Sequence, residues 1–177
     1  RGAPLQDVPG LTLPGPGLPA ERSFRGRLDD FDLPDDDFLR ACVGDDRGMW
    51  LPVQSRRGCA MDCSYCSTST IEGRTVRKRS PKAVIDWIAR QADAGFGSFY
   101  FVDNNFNVPP EYAQRMCRLL EERGLDIRWR CILNPAWVDA GLFGAMAGAG
   151  CTDVSLGFES GCARILAGMN KKFSVQD

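Results

Sequence analysis

From residue 49 onward, short apolar runs of period two alternate with longer stretches of period near 3.6, and the alternation repeats through the rest of the chain. Met49-Trp-Leu-Pro-Val-Gln-Ser55 reads as a strand. Ser80 followed by Pro81 marks a helix start: an N-cap hydroxyl, then a proline whose missing N–H is no loss in the first turn. That helix is predicted over residues 83–94, with Val84, Ile85, Ile88 and Ala89 on one face, and it stops at Gly95. Ser98-Phe-Tyr-Phe-Val102 is a second strand, and a second helix opens at Pro110 and ends near Gly124. Residues 126–133 form a third strand, residues 138–147 a Gly/Ala-rich third helix and residues 152–158 a fourth strand, with a fourth helix beginning near Cys162. Repeated strand–helix units predict parallel strands joined by right-handed crossovers, either a doubly wound sheet or a partial barrel.

The third and fourth strands decide between the two. Arg128, Arg130 and Asn134 share one face of the third, opposite Ile127, Trp129, Cys131 and Leu133. On the fourth, Thr152, Val154, Leu156 and Phe158 oppose Asp153, Ser155, Gly157 and Glu159. A strand covered by helices on both faces reads as continuously apolar. Polar groups gathered on one face toward strand C-termini predict instead the open interior of a barrel, with a site at its C-terminal mouth.

Before residue 49 the pattern is different. Residues 1–26 are rich in Gly and Pro and carry no period, which predicts a linker or irregular arm. Residues 28–39 are acidic with interleaved apolar positions, a solvated loop pinned by Phe31, Leu33 and Phe38. The predicted organisation is therefore an N-terminal arm over residues 1–48 and a folded domain over residues 49–177. The start at Arg1 and the stop at Asp177 read as cuts in a longer protein.

Composition then narrows the chemistry. A net charge of −1 gives no global attraction for nucleic acid. The basic run Arg74, Arg77, Lys78, Arg79 lacks the interleaved aromatics that stack bases, so it reads as a solvated charge run. No apolar run is long enough to span a bilayer, and no signal-peptide pattern opens the chain. With no histidine, imidazole acid–base catalysis and mixed Cys/His zinc sites are excluded. Of eight cysteines, Cys42, Cys117, Cys131, Cys151 and Cys162 are scattered singly, as small buried hydrophobes of a reduced, cytoplasmic protein are.

The other three are close together. Cys59, Cys63 and Cys66 stand in C-x3-C-x2-C spacing directly after the first strand. An iron–sulfur cubane takes four protein thiolates when it is fully ligated. Three in one loop leave one iron open to a non-protein ligand. The same loop admits a second reading, an electron-transfer or structural metal module, which needs a fourth ligand that Cys42 would have to supply in space.

The cysteine spacing, with Tyr65 just before its last cysteine, resembles the signature of the radical S-adenosylmethionine superfamily. The runs Ser55 to Ser67, Asp103-Asn-Asn-Phe-Asn107, Gly157-Phe-Glu-Ser-Gly161 and Met169-Asn-Lys171 are similar to the branch whose members often carry a cobalamin-binding domain. The resemblance implies a partial TIM-like (β/α) barrel, truncated to about four of six β/α units. It implies that Cys59, Cys63 and Cys66 ligate a [4Fe–4S] cluster and that S-adenosylmethionine chelates the open iron. Tyr65 would then lie near the adenine. Asp103, Asn104 and Asn105 stand where the family often has Gly-Gly-Glu to hold the methionine amino group. Glu159 and Ser160 would meet the ribose or methionine moiety, and Arg130 and Asn134 the carboxylate. The implied activity is reductive cleavage of S-adenosylmethionine to a 5′-deoxyadenosyl radical that abstracts hydrogen, with methylation through cobalamin in the whole protein. A small-molecule substrate and an electron donor such as flavodoxin or ferredoxin are the implied partners.

Overall fold

A computed structural model describes residues 4–7, 11, 26–44 and 46–177. Most of the predicted 1–26 arm lies outside the described residues; within it, Leu5–Asp7 forms a single 3-10 turn.

The frame is a four-stranded parallel sheet. Its strands are β1 (Leu51–Val53), β4 (Ser98–Phe101), β5 (Arg128–Leu133) and β6 (Cys151–Leu156), side by side in that order. Between β1 and β4 the chain makes a small antiparallel ribbon of β2 (Arg56–Arg57) and β3 (Arg77–Lys78), which brackets the cysteine loop. The helices are α1 (Asp36–Val43), α2 (Thr68–Ile71), α3 (Pro81–Asp93), α4 (Pro110–Arg123), α5 (Ala140–Gly148) and α6 (Ala163–Gly168). Each of β1, β4 and β5 thus leads through a helix to its parallel neighbour, as repeated β/α units require.

Local chemistry sets the helix ends. Ser80 Oγ accepts from Ala83 N, and Pro81 takes the first turn of α3. Asp139 Oδ1 accepts from Leu142 N at 2.8 Å and starts α5. Asp35 Oδ1 accepts from Phe38 N at 2.8 Å and starts α1. That helix corrects the reading of residues 28–39 as a pinned loop. Phe31 and Phe38 are exposed, whereas Leu28 and Leu39 are buried and Leu33 packs against the core. The aspartate cap makes the helix, and its 3.6 period turns Leu39 inward and Phe38 out.

The core lies between the sheet and its helices. Leu51, Val53, Phe99, Phe101, Trp129, Cys131 and Leu133 project from the strands into it and are each no more than 1% exposed. Phe101, Phe106 and Trp129 stack at centroid distances of 5.0 to 5.2 Å, and the Trp129 indole N–H donates to Ala149 O. The opposite face carries the predicted polar alternation: Tyr100, Arg130 and Asp153 are in register across β4, β5 and β6. Of the scattered cysteines, Cys117 and Cys131 are buried as expected, Cys151 is half-buried, and Cys42 and Cys162 are exposed.

One buried ion pair joins the frame to the cysteine loop. Asp103, just past β4, is 1% exposed. Its carboxylate accepts from Ser55 N at 2.8 Å, from Arg56 N at 3.1 Å and from the Ser55 hydroxyl. Arg56 Nε lies 3.4 Å from the same carboxylate. The Arg56 guanidinium also donates to Phe106 O at 2.7 Å and to Val108 O, and it faces the Tyr112 ring 4.5 Å from the centroid. Burial pushes the Asp103 carboxyl up and the Arg56 guanidinium down, and each opposes the shift of the other. Losing one member leaves an uncompensated buried charge, which costs about 3–5 kcal/mol. Arg56→Met and Asp103→Leu are each expected to lower unfolding free energy by about that amount, and the double variant by less than their sum. Urea denaturation of the four proteins checks this, and simple additivity would remove the coupling.

Candidate functional site

The cysteine loop leaves β2 at Gly58, which no other residue type replaces without movement. Gly58 has φ +97, and a Cβ there would meet Thr75 O at 2.2 Å. The incoming loop is tied to the returning chain by Cys59 N donating to Gly73 O at 3.0 Å and by Gly58 N donating to Glu72 Oε2 at 3.0 Å.

Beyond Gly58, the three thiols border one cavity of about 170 Å³. Cys59, Cys63 and Cys66 line it together with Tyr65, Asn104, Asn105, Asn134 and Glu159. It lies past the C-terminal ends of β4, β5 and β6, where the alternation of polar residues predicts a barrel mouth. Among the described residues, no group of three or more Cys, Asp or Glu is gathered around a single point fit for one metal ion. The three cysteines line one space, as a multi-iron cluster with one thiolate per iron would need.

The donors around the sulfurs suit thiolates. Asn105 Nδ2 lies 3.8 Å from Cys59 Sγ. Thr68 N donates to Cys66 Sγ at 3.5 Å, and the Thr68 hydroxyl is 3.3 Å from the same sulfur. Burial, and then the proximity of Cys66, Cys63 and Glu72, push the Cys59 thiol up against an opposing backbone hydrogen bond from Met61. A thiol held up in this way is deprotonated when it binds metal. On this donor set, the residues present fit a [4Fe–4S] cluster.

The far wall forms a small polar network. The Tyr65 hydroxyl donates to Glu159 Oε1 at 2.8 Å, and Lys171 Nζ donates to the same oxygen and to Gly157 O, both at 3.1 Å. The Tyr65 hydroxyl and then Lys171 hold the Glu159 carboxyl below its usual range. Glu159 has φ 61, a left-handed conformation that a glutamate adopts only where its surroundings hold it there.

Residues 168–173 close the loop from outside. Ser64 N donates to Met169 O at 3.0 Å and Ser64 Oγ to Gly168 O at 3.1 Å. Asn170 Nδ2 donates to Asp62 O at 3.1 Å, and Lys172 pairs with Asp62 at 3.3 Å. These contacts bridge more than a hundred positions of sequence.

Not every expected site residue faces the cavity. Asp103 lies beneath the loop, with its oxygens taken by Ser55 and Arg56. Arg130 lies one layer down the strand from Ile132, stacked between Trp50 and Tyr100 at 4.5 and 4.6 Å. Ser160 Oγ accepts from Cys162 N and shapes the turn into α6. Asn104 lines the cavity while donating to Glu72 Oε2 at 2.8 Å. The Asn134 backbone is fixed by Asn107, which donates to Asn134 O and accepts from Asn134 N, both at 2.8 Å. Sequence reasoning missed Arg56, Thr68, Glu72 and Lys171. For Thr68 a signal existed, because a threonine two residues past a cysteine at a helix start is placed to donate to the sulfur. For the other three, nothing local distinguishes them from surface charges.

Comparison with known proteins supplies the family. The model of the Radical SAM superfamily matches residues 53–177, so the chain belongs to that superfamily. Proteins of this family use a [4Fe–4S] cluster and S-adenosylmethionine. Among curated relatives, bacteriochlorophyllide d C-12(1)-methyltransferase of Chlorobaculum tepidum is 31% identical over 125 residues, 68% of this chain and 27% of that protein. Cytidylyl-2-hydroxyethylphosphonate methyltransferase of Streptomyces wedmorensis is 33% identical over 68% of this chain and 23% of its own length. The chain therefore spans about a quarter of the curated relatives it matches. Among solved structures, the radical S-adenosylmethionine methyltransferase TsrM from Kitasatospora setae, with tryptophan substrate and a SAM analogue bound, superposes with a TM-score of 0.69. It is 22% identical over 73% of this chain and 27% of that one. The same enzyme with cobalamin and a [4Fe–4S] cluster bound gives a TM-score of 0.68 at 21% identity, over 72% of this chain and 25% of that one. These likenesses show the α/β fold of the radical SAM barrel.

Replacing Cys59, Cys63 or Cys66 singly with Ala is expected to reduce bound iron, after anaerobic reconstitution, from about four per chain to near zero. Cys42→Ala, on α1 and away from the cavity, is expected to keep the full load. Gly58→Ala is expected to lower iron content while leaving helix and sheet content unchanged, because the clash with Thr75 O displaces only the loop entry. Iron assay and circular dichroism read both outcomes.

Proposed function

We propose that this chain is the cluster-bearing part of an enzyme that reductively cleaves S-adenosylmethionine, with residues 49–177 forming the N-terminal portion of its core domain. The observation that carries the reading is the cavity itself: Cys59, Cys63 and Cys66 share it with Tyr65, Asn104, Asn105, Asn134 and Glu159, and among the described residues no fourth cysteine lines it. That geometry favours an open iron over a fully protein-ligated electron-transfer centre.

A reduced [4Fe–4S] cluster, when bound, supplies the one electron that splits the sulfonium of S-adenosylmethionine into methionine and a 5′-deoxyadenosyl radical. The chain's own residues bind and orient the ligand. Asn104 and Asn105 offer amide oxygens to an ammonium, and Tyr65 offers a ring edge for an adenine. Glu159, held ionised by Tyr65 and Lys171, is a hydrogen-bond acceptor suited to ribose hydroxyls. The aromatic and aliphatic walls, Ile132 and Phe173 among them, exclude water from the reacting atoms.

The relatives support a finer reading, in which the whole protein transfers a methyl group to an unactivated carbon of a small molecule and uses cobalamin held outside this chain. Its electron comes from an external carrier of the flavodoxin or ferredoxin kind. A cytoplasmic location is supported by eight cysteines that are all free, and no helix among the described residues is long and apolar enough to cross a membrane.

Because the spectrum needs no completed substrate pocket, it is the test of choice. Addition of S-adenosylmethionine to the reconstituted, dithionite-reduced chain is expected to change the electron paramagnetic resonance signal of the cluster. An unchanged signal at full iron content would sink the enzyme reading and leave the electron-transfer module.

A further inference from the structure

We propose that Asn105 sets the reduction potential of the cluster: its side-chain amide donates to the Cys59 sulfur and makes a cluster held by Cys59, Cys63 and Cys66 easier to reduce. This rests on the reading of those cysteines as cluster ligands and is independent of what happens to S-adenosylmethionine.

Asn105 Nδ2 lies 3.8 Å from Cys59 Sγ, within hydrogen-bond reach of so large an acceptor. A metal-bound thiolate accepts and never donates, so it selects the NH2 end of the amide and fixes its orientation. Asn105 and Cys59 both line the cavity, and both also line the small space behind it, bordered by Gly58, Val76 and Val108. The amide is therefore built into the wall of the site and does not reach in from solvent.

Its backbone is held from both sides. Val108 N donates to Asn105 O at 3.3 Å, and Phe106 N donates to Ile132 O at 2.8 Å. On the other side, Asn104 is tied to Glu72 and Asp103 is locked by the Arg56 pair. An amide on so fixed a segment meets the sulfur without reorganising when the charge changes.

Reduction adds one electron and breaks no bond. The added charge spreads over iron, sulfide and the ligating sulfurs. A donor aimed at one of those sulfurs stabilises the reduced state more than the oxidised one, and so raises the potential. At Cys66 the donor is the backbone N–H of Thr68, which substitution cannot remove. At Cys59 the donor is a side chain. Asn105 is thus the position at which sequence adjusts the cluster while its ligands stay the same.

The test is a redox titration of the reconstituted full chain, with dithionite as reductant and no S-adenosylmethionine, read by electron paramagnetic resonance. Asn105→Leu keeps the side-chain shape and removes the donor; Asn105→Asp puts a negative acceptor in its place. The leucine variant is expected to lose about tenfold in the one-electron reduction equilibrium, about 59 mV, and the aspartate variant more, both at wild-type iron content. A purely structural role would change iron content or melting temperature without ordering the potentials in this way. A fully loaded leucine variant at the wild-type potential overturns the proposal. Should the leucine variant fail to load, the aspartate variant decides by the same sign; should neither load, Asn105 merely props the loop and the proposal fails. A wild-type cluster that ignores S-adenosylmethionine overturns the enzyme reading alone, because these potentials are measured without it.

Discussion

Asp103 holds the turn where β1 hands the chain to the cysteine loop, and its carboxylate stays there because Arg56 stays with it. A buried carboxylate is costly unless charge and donors converge on it. Here two backbone N–H groups, a serine hydroxyl and a guanidinium do so. The two terminal nitrogens of the guanidinium donate to Phe106 O and Val108 O, at the segment that leads into α4. One ion pair therefore fixes three chain segments relative to one another: the exit of β1, the exit of β4 and the approach to α4. Gly58 and Cys59 follow directly from the first of these, and Asn104 and Asn105 from the second. The Cys59 sulfur and its amide donor thus stand on two segments that this pair ties together.

The other end of the loop is held differently. Residues 168–173 attach to Asp62 and Ser64 through exposed and part-buried hydrogen bonds, each worth less than the buried contacts at the first end. The loop thus has a rigid root at Gly58 and a softer clasp at Ser64. The clasp exists only once β6 has paired with β5 and carried α6 into position. Order at Cys63 and Cys66 therefore depends on completion of the sheet, whereas order at Cys59 depends on the first two parallel strands.

These dependencies explain what was legible in the sequence. Strand and helix positions from residue 80 onward follow from caps and periods that act locally: Ser80-Pro81 and the alternation around Trp129. The cysteine spacing is local too, and its three members line one cavity. Asp103 could not be placed in this way. An aspartate at a strand end looks the same whether it faces a ligand or its own chain, and the deciding donors come from Ser55 and Arg56, 48 and 47 residues earlier. Lys171 was legible only as part of a resembling phrase, because its partners Tyr65 and Glu159 meet it through the fold. The helix α1 was missed for another reason. A dense run of aspartates reads as solvated charge, although Asp35 was a ready N-cap.

The charges around the cavity show why Lys171 belongs there. A cluster held by Cys59, Cys63 and Cys66 would turn three thiols into thiolates, and its reduction would add further negative charge to the same space. Glu159 contributes a carboxylate to that wall. Left alone, it would oppose both steps at short range, through a medium that screens less well than water. Lys171 Nζ, with its side chain only 9% exposed, sits 3.1 Å from the carboxylate and near the Cys63 sulfur, over the rings of Tyr65 and Phe173. It cancels the charge of Glu159 while leaving its oxygens able to accept hydrogen bonds. Glu159 can thus accept hydrogen bonds without adding its charge to that of a bound cluster. The strap of residues 168–173 therefore does more than clasp the loop, because it also delivers the cation that makes an ionised carboxylate tolerable beside three thiolates.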